Sequence, residues 1–471
     1  MSICVPHRQS KMHKYLKKIL VAIFLPLLFL TFAGSGYLYC KVTTSSRRST
    51  FSFPLRSTSS HILLDRKPSI SSSSSLTKND SIKALITQPQ TFFIVPSKGK
   101  MGVVYGNRGW TQTTKPMTAA LIWVQNKQVL KNLYSWNQVR QDQIVNHLEF
   151  ERERGPKGRL LHYLPAEYGL TGFQYMQPSW RLWIPKERAH FLMQVKKKSL
   201  NGMPFTPFIT KKAHLDNGAG IDIISSPNKL QKLVQDLERS TASAHKNFIV
   251  QQYLIHPLLT HDKKKFDLRI YFLIVSVNPI VVLYYDGYMR VALDVYNENI
   301  NNLTKRGHLT NAKVQKDHNM KLYLRRKETT RREFQELSKM LKKTTIVELQ
   351  CKIKKALVAI IKAARAPIKR GIKNCPLCFS LLGADFMVDQ AAENVWISEV
   401  QSGPGLPTNT RTTKKFFRRL LPNVADILDE VADLRRKQKN ELWPLTKIGD
   451  FHLIYHESSS SFDVMNECVS P

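Results

Sequence analysis

The stretch KKKFDLRIYFLIVSVNPIVVLYY, residues 263–285, constrains this chain more than any other. Its two runs, LRIYFLIVSV and IVVLYY, are dominated by the β-branched, aliphatic and aromatic residues that favour strands. Asn278-Pro279 between them is a turn signal, so the pair reads as a hairpin. The first run is apolar enough to be a buried strand, yet it opens with Asp267 and Arg269. Residues two apart in a strand share a face, so an acid and a base stand side by side there. The basic run just before, Lys263 to Lys265, reads as exposed.

Strands and helices interleave along the rest of the chain. FITKKAHLDNGAGIDIISS reads as strand, glycine-bearing loop, strand. Pro227 opens a helix with Leu230, Leu233, Val234 and Leu237 on one face. NFIVQQYL reads as a buried strand, and residues 331–363 hold two helical patterns, one of them Phe334, Leu337 and Leu341. ADFMVD and VWISEV are two more apolar strands, and Val424, Ile427, Leu428 and Val431 mark a last amphipathic helix. This mixture argues for an α/β or α+β fold with a mixed or antiparallel sheet. No G-x-G-x-x-G follows a first strand, which excludes a Rossmann fold, and there is no internal repeat.

At 471 residues and 42% hydrophobic, the chain can bury a sizeable core. Lys plus Arg is 72 against 35 for Asp plus Glu, a net charge of +37. Such a field favours an acidic partner: nucleic acid, an anionic membrane or an acidic polypeptide. No RNA-binding motif or aromatic-interleaved basic repeat speaks for nucleic acid. The six cysteines are too few and too scattered for a disulfide framework. Cys375 and Cys378 form a lone C-x-x-C without the second pair that structural zinc needs; they read as small residues leading into a buried strand.

Residues 19–40, ILVAIFLPLLFLTFAGSGYLYC, carry no charge and are long enough to span a bilayer. Five basic residues precede them, from Arg8 to Lys18, and Lys41, Arg47, Arg48 and Arg56 follow. The expectation is a signal anchor after a basic tail (1–18), in preference to a cleaved signal peptide. Residues 41–95 are rich in Ser and Thr and read as a flexible stem. The globular region ends near 455, and 456–471 read as a disordered tail.

Acids at strand positions point to chemistry. Asp385 lies in GADFMVD and Glu399 in VWISEVQSGPG. If those strands pair as a hairpin, the two carboxylates meet, and oxygen ligands converging there suit Mg²⁺ with nucleotide phosphates. The NGAGI loop lets backbone N–H groups approach a phosphate, and Lys211 on the incoming strand is within reach of one. Each feature alone is weak; the order lysine, glycine loop, Asp-x-Arg, Asp, Glu points to an ATP site.

On these residues the chain resembles the tubulin tyrosine ligase-like family. IVQQYLIHPLLTHDKKKFDLRIYFLIVSVNPIVVLYYDGYMRVALDVY resembles the family's central block, HLTNAKVQKDH its H-L-T-N motif, and GADFMVDQAAENVWISEVQSGPG its metal-binding strands. NRGW, AALIW and QIVNHLE resemble its N-terminal segment. The resemblance covers roughly residues 96–440 and implies an ATP-grasp fold: an N-terminal subdomain over 96–195, a central one over 196–265 and a C-terminal one over 266–455. It implies ATP and Mg²⁺ as cofactors. Lys157 and Lys211 match nucleotide and phosphate lysines, and Gly218 and Gly220 belong to the phosphate loop. Gln251, Tyr253 and Leu254 match the adenine pocket. Lys265, Asp267, Arg269 and Arg290, with Thr310 and Asn311 beside them, match the ATP and acceptor site. Asp385, Glu399 and Gln401 match the metal ligands. Where the family has asparagine this chain has Gln401; Lys212, Gly158 and Val291 also depart from the usual proline, acid and threonine.

The activity implied is ligation of a free amino acid to a glutamate carboxylate through an acylphosphate, with Arg269, Arg290 and Lys211 as catalytic residues. The acceptor implied is an acidic polypeptide, tubulin tails being the family's substrate. Two alternatives stay open: a luminal ligase of the secretory pathway with another acceptor, which the sequons at Asn79 and Asn302 permit, and an inactive homologue that binds acidic partners. The anchor favours a single-pass type II protein with a luminal catalytic region, and the opposite, cytosol-facing orientation remains open.

Overall fold

The computed structural model describes residues 90–96, 99–124, 139–148, 163–212, 220–241, 245, 248–299, 303–369, 375–439 and 441–458. The expected anchor, stem and both sequons, most of the tail, and Lys157 and Gly218 lie outside the described residues. No helix among the described residues is long and apolar enough to cross a membrane.

A ten-stranded mixed sheet organises the chain. Its centre is the expected hairpin, β9 (Phe266–Val277) and β10 (Ile280–Val291), antiparallel around Asn278-Pro279. Every residue of β9 is buried, because helices cover both faces of the sheet. Helix α5 (Lys343–Ala363) presents Leu349, Ile353, Ala356, Leu357 and Ile360, one stripe at helical spacing, to the core shared with Leu268, Ile270 and Phe272. Helix α6 (Arg411–Arg436) covers the opposite face, where Phe417, Leu420, Val424 and Leu428 meet Tyr271, Leu273 and Val275. It begins at a capping box, Thr410 with Thr413.

On one side β9 pairs with β12 (Cys378–Val388), which forms an antiparallel hairpin with β13 (Val395–Ser402). Beyond β12 lie the parallel strands β4 (Ile144–Asn146), β3 (Leu121–Val124) and β1 (Thr91–Val95), with β2 (Thr111–Gln112) at the edge. On the other side β10 pairs with β11 (Arg331–Glu333) and β14 (His452–His456). Helix α1 (Lys100–Gly106) is tied to α6 by Arg108, which bonds Asp426 and Asp429.

A separate antiparallel sheet of four strands has the order β5 (Ser179–Arg181), β8 (Phe248–Gln252), β6 (Phe208–Lys212), β7 (Asp222–Ile224). Helices α2 (Pro185–Leu200) and α3 (Pro227–Arg239) pack on one face through Trp180, Phe191, Phe208, Leu237 and Val250. As the sequence predicts, Pro227 stands at the first turn of α3, and Ser226 caps it by accepting from the Lys229 N–H. Ile209 and Ile223 on the other face meet Leu309 and Val314, the latter in α4 (Ala312–His318).

Three sequence expectations are corrected. Phe334, Leu337 and Leu341 do not mark a full α-helix: Phe334–Lys339 is a short 3₁₀ segment behind β11, with Phe334 and Leu337 buried. Cys375 and Cys378 do lead into buried β12, but they also form a disulfide, and Cys351 is disulfide-bonded too. Lys263–Lys265 is not uniformly exposed, since Lys265 is only 4% exposed. Lys263 takes a positive φ of 56°, and the turn carries Lys265 inward.

Candidate active site

The cleft between the two sheets gathers most of the residues singled out in the sequence. Lys211, Gln251, Tyr253 and Leu254 line it from the smaller sheet; Lys265, Asp267, Arg290, Asp385 and Glu399 line it from the larger. Thr310 and Asn311, at the start of α4, close one side. Gly220 takes the left-handed φ of +68° just before β7 and is not part of the lining.

The face of β9 that lies under α6 is apolar at Val275, Leu273 and Tyr271, then turns charged at Arg269 and Asp267. Strand pairing sets their partners. Asp385 on β12 stands opposite Arg269 and also opposite Glu399 on β13. Asp267 stands opposite Arg290 on β10. Directly opposed residues share a face, so Asp385 and Glu399 meet as the hairpin reading expects.

Two β-bulges decide this arrangement. On β10, Tyr285 faces Tyr271 and Tyr288 faces Arg269, so two residues, Asp286 and Gly287, stand against one, Ile270. On β13, Ile397 faces Phe386 and Glu399 faces Asp385, so Ser398 is extra. Each bulge reverses the alternation beyond it. Without them Arg290 would point away from the face that Tyr285 shares, and Glu399 would share the core face of Ile397.

The charges form one network. Asp385 accepts from Arg269 Nε at 2.5 Å and Nη2 at 3.1 Å, and from Arg290 Nη2 at 2.6 Å. Arg290 Nε donates to Asp267 at 2.5 Å, and the Thr310 hydroxyl donates to the other Asp267 oxygen. Burial alone would raise the Asp385 pKa; Arg269 and Arg290 outweigh it and hold the carboxyl below its ordinary value. Arg269 lies behind Asp385, outside the cleft lining.

On the smaller sheet, Lys211 donates to Gln251 Oε1 at 2.5 Å, and Gln251 Nε2 donates to Ser179 at 2.8 Å. Lys265 donates to the Tyr253 hydroxyl at 2.9 Å and stands over its ring at 4.3 Å. Tyr253 is bonded in turn to His308 Nδ1 at 2.7 Å. Burial, with Lys211 adding to it, lowers Lys265 to about 7 although Asp267 opposes the shift. Burial and Lys265 lower His308 to about 4, so its imidazole is neutral near pH 7. Sequence reasoning missed His308, Ser179, Met387 and Ser398; His308 stands in the quoted HLTN and could have been found there.

The donor chemistry fits Mg²⁺. Asp385 and Glu399 supply hard oxygens on one face. Mg²⁺ takes a few carboxylate oxygens and completes its shell with phosphate and water; among the described residues no group of three His, Cys, Asp or Glu converges. Gln401, opposite Gly383, shares Glu399's face but stands outside the cleft lining.

Comparison with known proteins gives one family model, described as the tubulin-tyrosine ligase family, matching residues 136–439. The chain is 27% identical to the protein polyglycylase TTLL10 of Rattus norvegicus, over 64% of this chain and 44% of that protein. It is 27% identical to a probable alpha-tubulin polyglutamylase, Ttll1, of Tetrahymena thermophila, over 58% of this chain and 66% of that protein. It is 26% identical to the inactive polyglycylase TTLL10 of Homo sapiens, over 62% and 44%. The chain thus spans between 44% and 66% of the length of these relatives.

Proposed function

This chain belongs to the tubulin-tyrosine ligase family, and from that premise we propose that it is an ATP- and Mg²⁺-dependent carboxylate–amine ligase of ATP-grasp type. It adds an amino acid to a glutamate side chain of an acidic polypeptide, tubulin tails included. The observation that carries the reading is the convergence of Lys211, Asp267, Arg290, Asp385 and Glu399 on one cleft. Since the relatives include both active and inactive proteins, the intactness of this charged set is the argument for activity.

In this reading Asp385 and Glu399 hold Mg²⁺, which neutralises phosphate charge when bound. Lys211, held by Gln251, reaches the phosphates; Tyr253, Leu254 and Lys265 receive the nucleotide. The acceptor carboxylate takes the γ-phosphoryl group, releasing ADP. The amine of the incoming amino acid then attacks the acyl carbon, the amide bond forms, and inorganic phosphate and a proton leave. Arg290 steadies the oxygens that gain charge, while Arg269, outside the cleft lining, holds Asp385 from behind, so positioning and charge neutralisation do most of the catalysis. The net charge of +37 draws an acidic acceptor toward the cleft.

The test is direct: full-length protein, Mg²⁺, ATP, a glutamate-rich peptide or tubulin, and labelled glutamate, glycine or tyrosine. ATP-dependent incorporation of one of them is expected. No incorporation of any of the three, with no ATP hydrolysis, would refute the reading.

A second reading concerns the compartment. The Cys375–Cys378 disulfide favours an oxidising lumen, in keeping with an anchor at 19–40, and would exclude tubulin as acceptor. In microsomes the catalytic region should then resist protease until detergent is added, and Asn79 should carry glycan. Digestion without detergent restores tubulin as the leading acceptor.

A further inference from the structure

Strand β11 contributes a guanidinium that the mechanism above does not use. Arg331 stands directly opposite Arg290, and opposed residues share a face. Row by row across the sheet, that face reads Asp267, Arg290, Arg331. Two like charges placed opposite each other are destabilising unless something compensates them. Arg290 is compensated by Asp267 and Asp385. Arg331 has no carboxylate partner among the described residues; its side chain donates only to the carbonyl of Thr330, at 2.6 Å.

The neighbouring residues show that this is placement rather than accident. Arg332, on the other face, pairs with Asp262 at 2.7 Å. The Arg331 carbonyl is pinned by the Thr412 hydroxyl at the start of α6, at 3.0 Å, and Lys415 from the same helix holds Glu333. Arg331 is half-buried, with Tyr288, Arg290, Tyr323 and Asp267 in electrostatic reach. Its burial, to which Arg290 adds, disfavours the charged form. Three acids, Asp267, Asp385 and Glu399, line the cleft with three cations, Lys211, Lys265 and Arg290, and two more cations flank the lining, Arg269 opposite Asp385 and Arg331 opposite Arg290. The surplus calls for anionic ligands.

Which anion follows from position. The acid pair that suits Mg²⁺ and phosphate lies on β12 and β13. Arg331 is three strand spacings from β12, about 14 Å, and one spacing past Arg290. A phosphate at the acid pair is out of its reach, whereas a molecule entering beside Arg290 from the far side is not. We propose that Arg331 binds the α-carboxylate of the incoming amino acid, holding its amine toward the carboxylate activated beside Arg290. The inference rests on the ligase reading. It names the substrate class as a free α-amino acid recognised by its carboxylate, through the planar fork that suits that group.

The experiment compares wild type with Arg331→Gln and Arg331→Lys in the full-length protein. Ligation of labelled glutamate and glycine, and of their α-amides, onto a glutamate-rich peptide is measured. The KM for the amino acid should rise roughly 10- to 100-fold in Arg331→Gln, the range of a lost charge-assisted pair. The KM values for ATP and peptide should stay within about twofold of wild type. Preference for the acid over its amide should vanish, a readout that mere loosening of β11 would not move, and Arg331→Lys should fall between. An unchanged KM for the amino acid, or a rise for the peptide instead, overturns the proposal. If wild type does not turn over, binding of the same labelled amino acids with Mg²⁺ and a non-hydrolysable ATP analogue decides. Binding lost in Arg331→Gln upholds Arg331 while the ligase activity fails; equal binding, or none to wild type, overturns Arg331.

Discussion

A β-carbon on Gly287 would stand 1.5 Å from the carbonyl oxygen of Arg269. The backbone of β10 therefore rests directly on β9 at the bulge that turns Arg290 to the cleft. No side chain fits there, and the obstacle is backbone, which cannot rotate away. Gly287→Ala should cost about 4 kcal/mol of stability, the upper range for single substitutions, and should displace Arg290 with loss of ligation. Thermal unfolding and soluble yield check it. Gly106→Ala is the control: its β-carbon meets nothing within 4 Å, and at the end of α1 it should be neutral or slightly stabilising. Equal melting temperatures for both variants would refute the packing argument.

Asp385 and Glu399 face each other but are held differently, and their substitutions should separate. Asp385 is 2% exposed and carries two guanidinium groups. Asp385→Ala leaves buried charge uncompensated and should destabilise by about 3–5 kcal/mol as well as abolish ligation. Glu399→Gln should abolish ATP-dependent ligation with the fold intact. Denaturant titration beside an activity assay distinguishes the two; ATP turnover at the wild-type rate in Glu399→Gln would remove it from the site.

Lys265 should make nucleotide affinity depend on pH near neutrality. Burial brings the folded-state value to about 7 from an ordinary 10.5. Between those two pH values the unfolded chain holds a proton that the folded chain has released, so this group makes stability rise with pH there. Below about 7 both states hold the proton, and the cost of burying the ammonium is present in full. The charged form attracts phosphate, so affinity for Mg²⁺–ATP should weaken as pH rises through about 7. Calorimetric titration between about pH 6 and 9 should show this in wild type and a flattened profile in Lys265→Met. Parallel profiles would assign the effect elsewhere.

Gln401 tests how closely the metal shell must be built. It shares Glu399's face and stands opposite Gly383, where an added β-carbon would meet Pro404 and the Arg269 stem. Gln401→Asn should retain or raise activity, keeping the carbonyl oxygen on a shorter stem. Gln401→Ala should weaken Mg²⁺ dependence; a magnesium titration identical to wild type would show that the side chain is not a ligand.

The central strands were legible because β9, β10 and β12 are buried almost throughout, and continuous apolar runs such as LRIYFLIVSV admit few other readings. The turn at Asn278-Pro279, the helix start at Pro227 and the acids set into ADFMVD and VWISEV are likewise local, and each sits where its local chemistry indicates. The 3₁₀ segment at Phe334–Lys339 escaped because its apolar spacing over so few residues also fits an α-helix. What faces what is another matter. Strict alternation places Glu399 with Ile397 in the core, and Arg290 opposite in sense to Tyr285; only the bulges at Ser398 and Asp286–Gly287 bring both to the cleft. A bulge is a property of two strands in register, so neither sequence reveals it alone. Lys265 turns inward because a positive-φ residue two positions earlier bends the chain, and Arg331 joins the arginine row because β11 pairs with β10 across the 39 residues between them. Composition and periodicity determined which elements form. The pairing of strands distant in sequence decided which charges meet, because cross-strand register sets the side-chain neighbours and no local pattern encodes it.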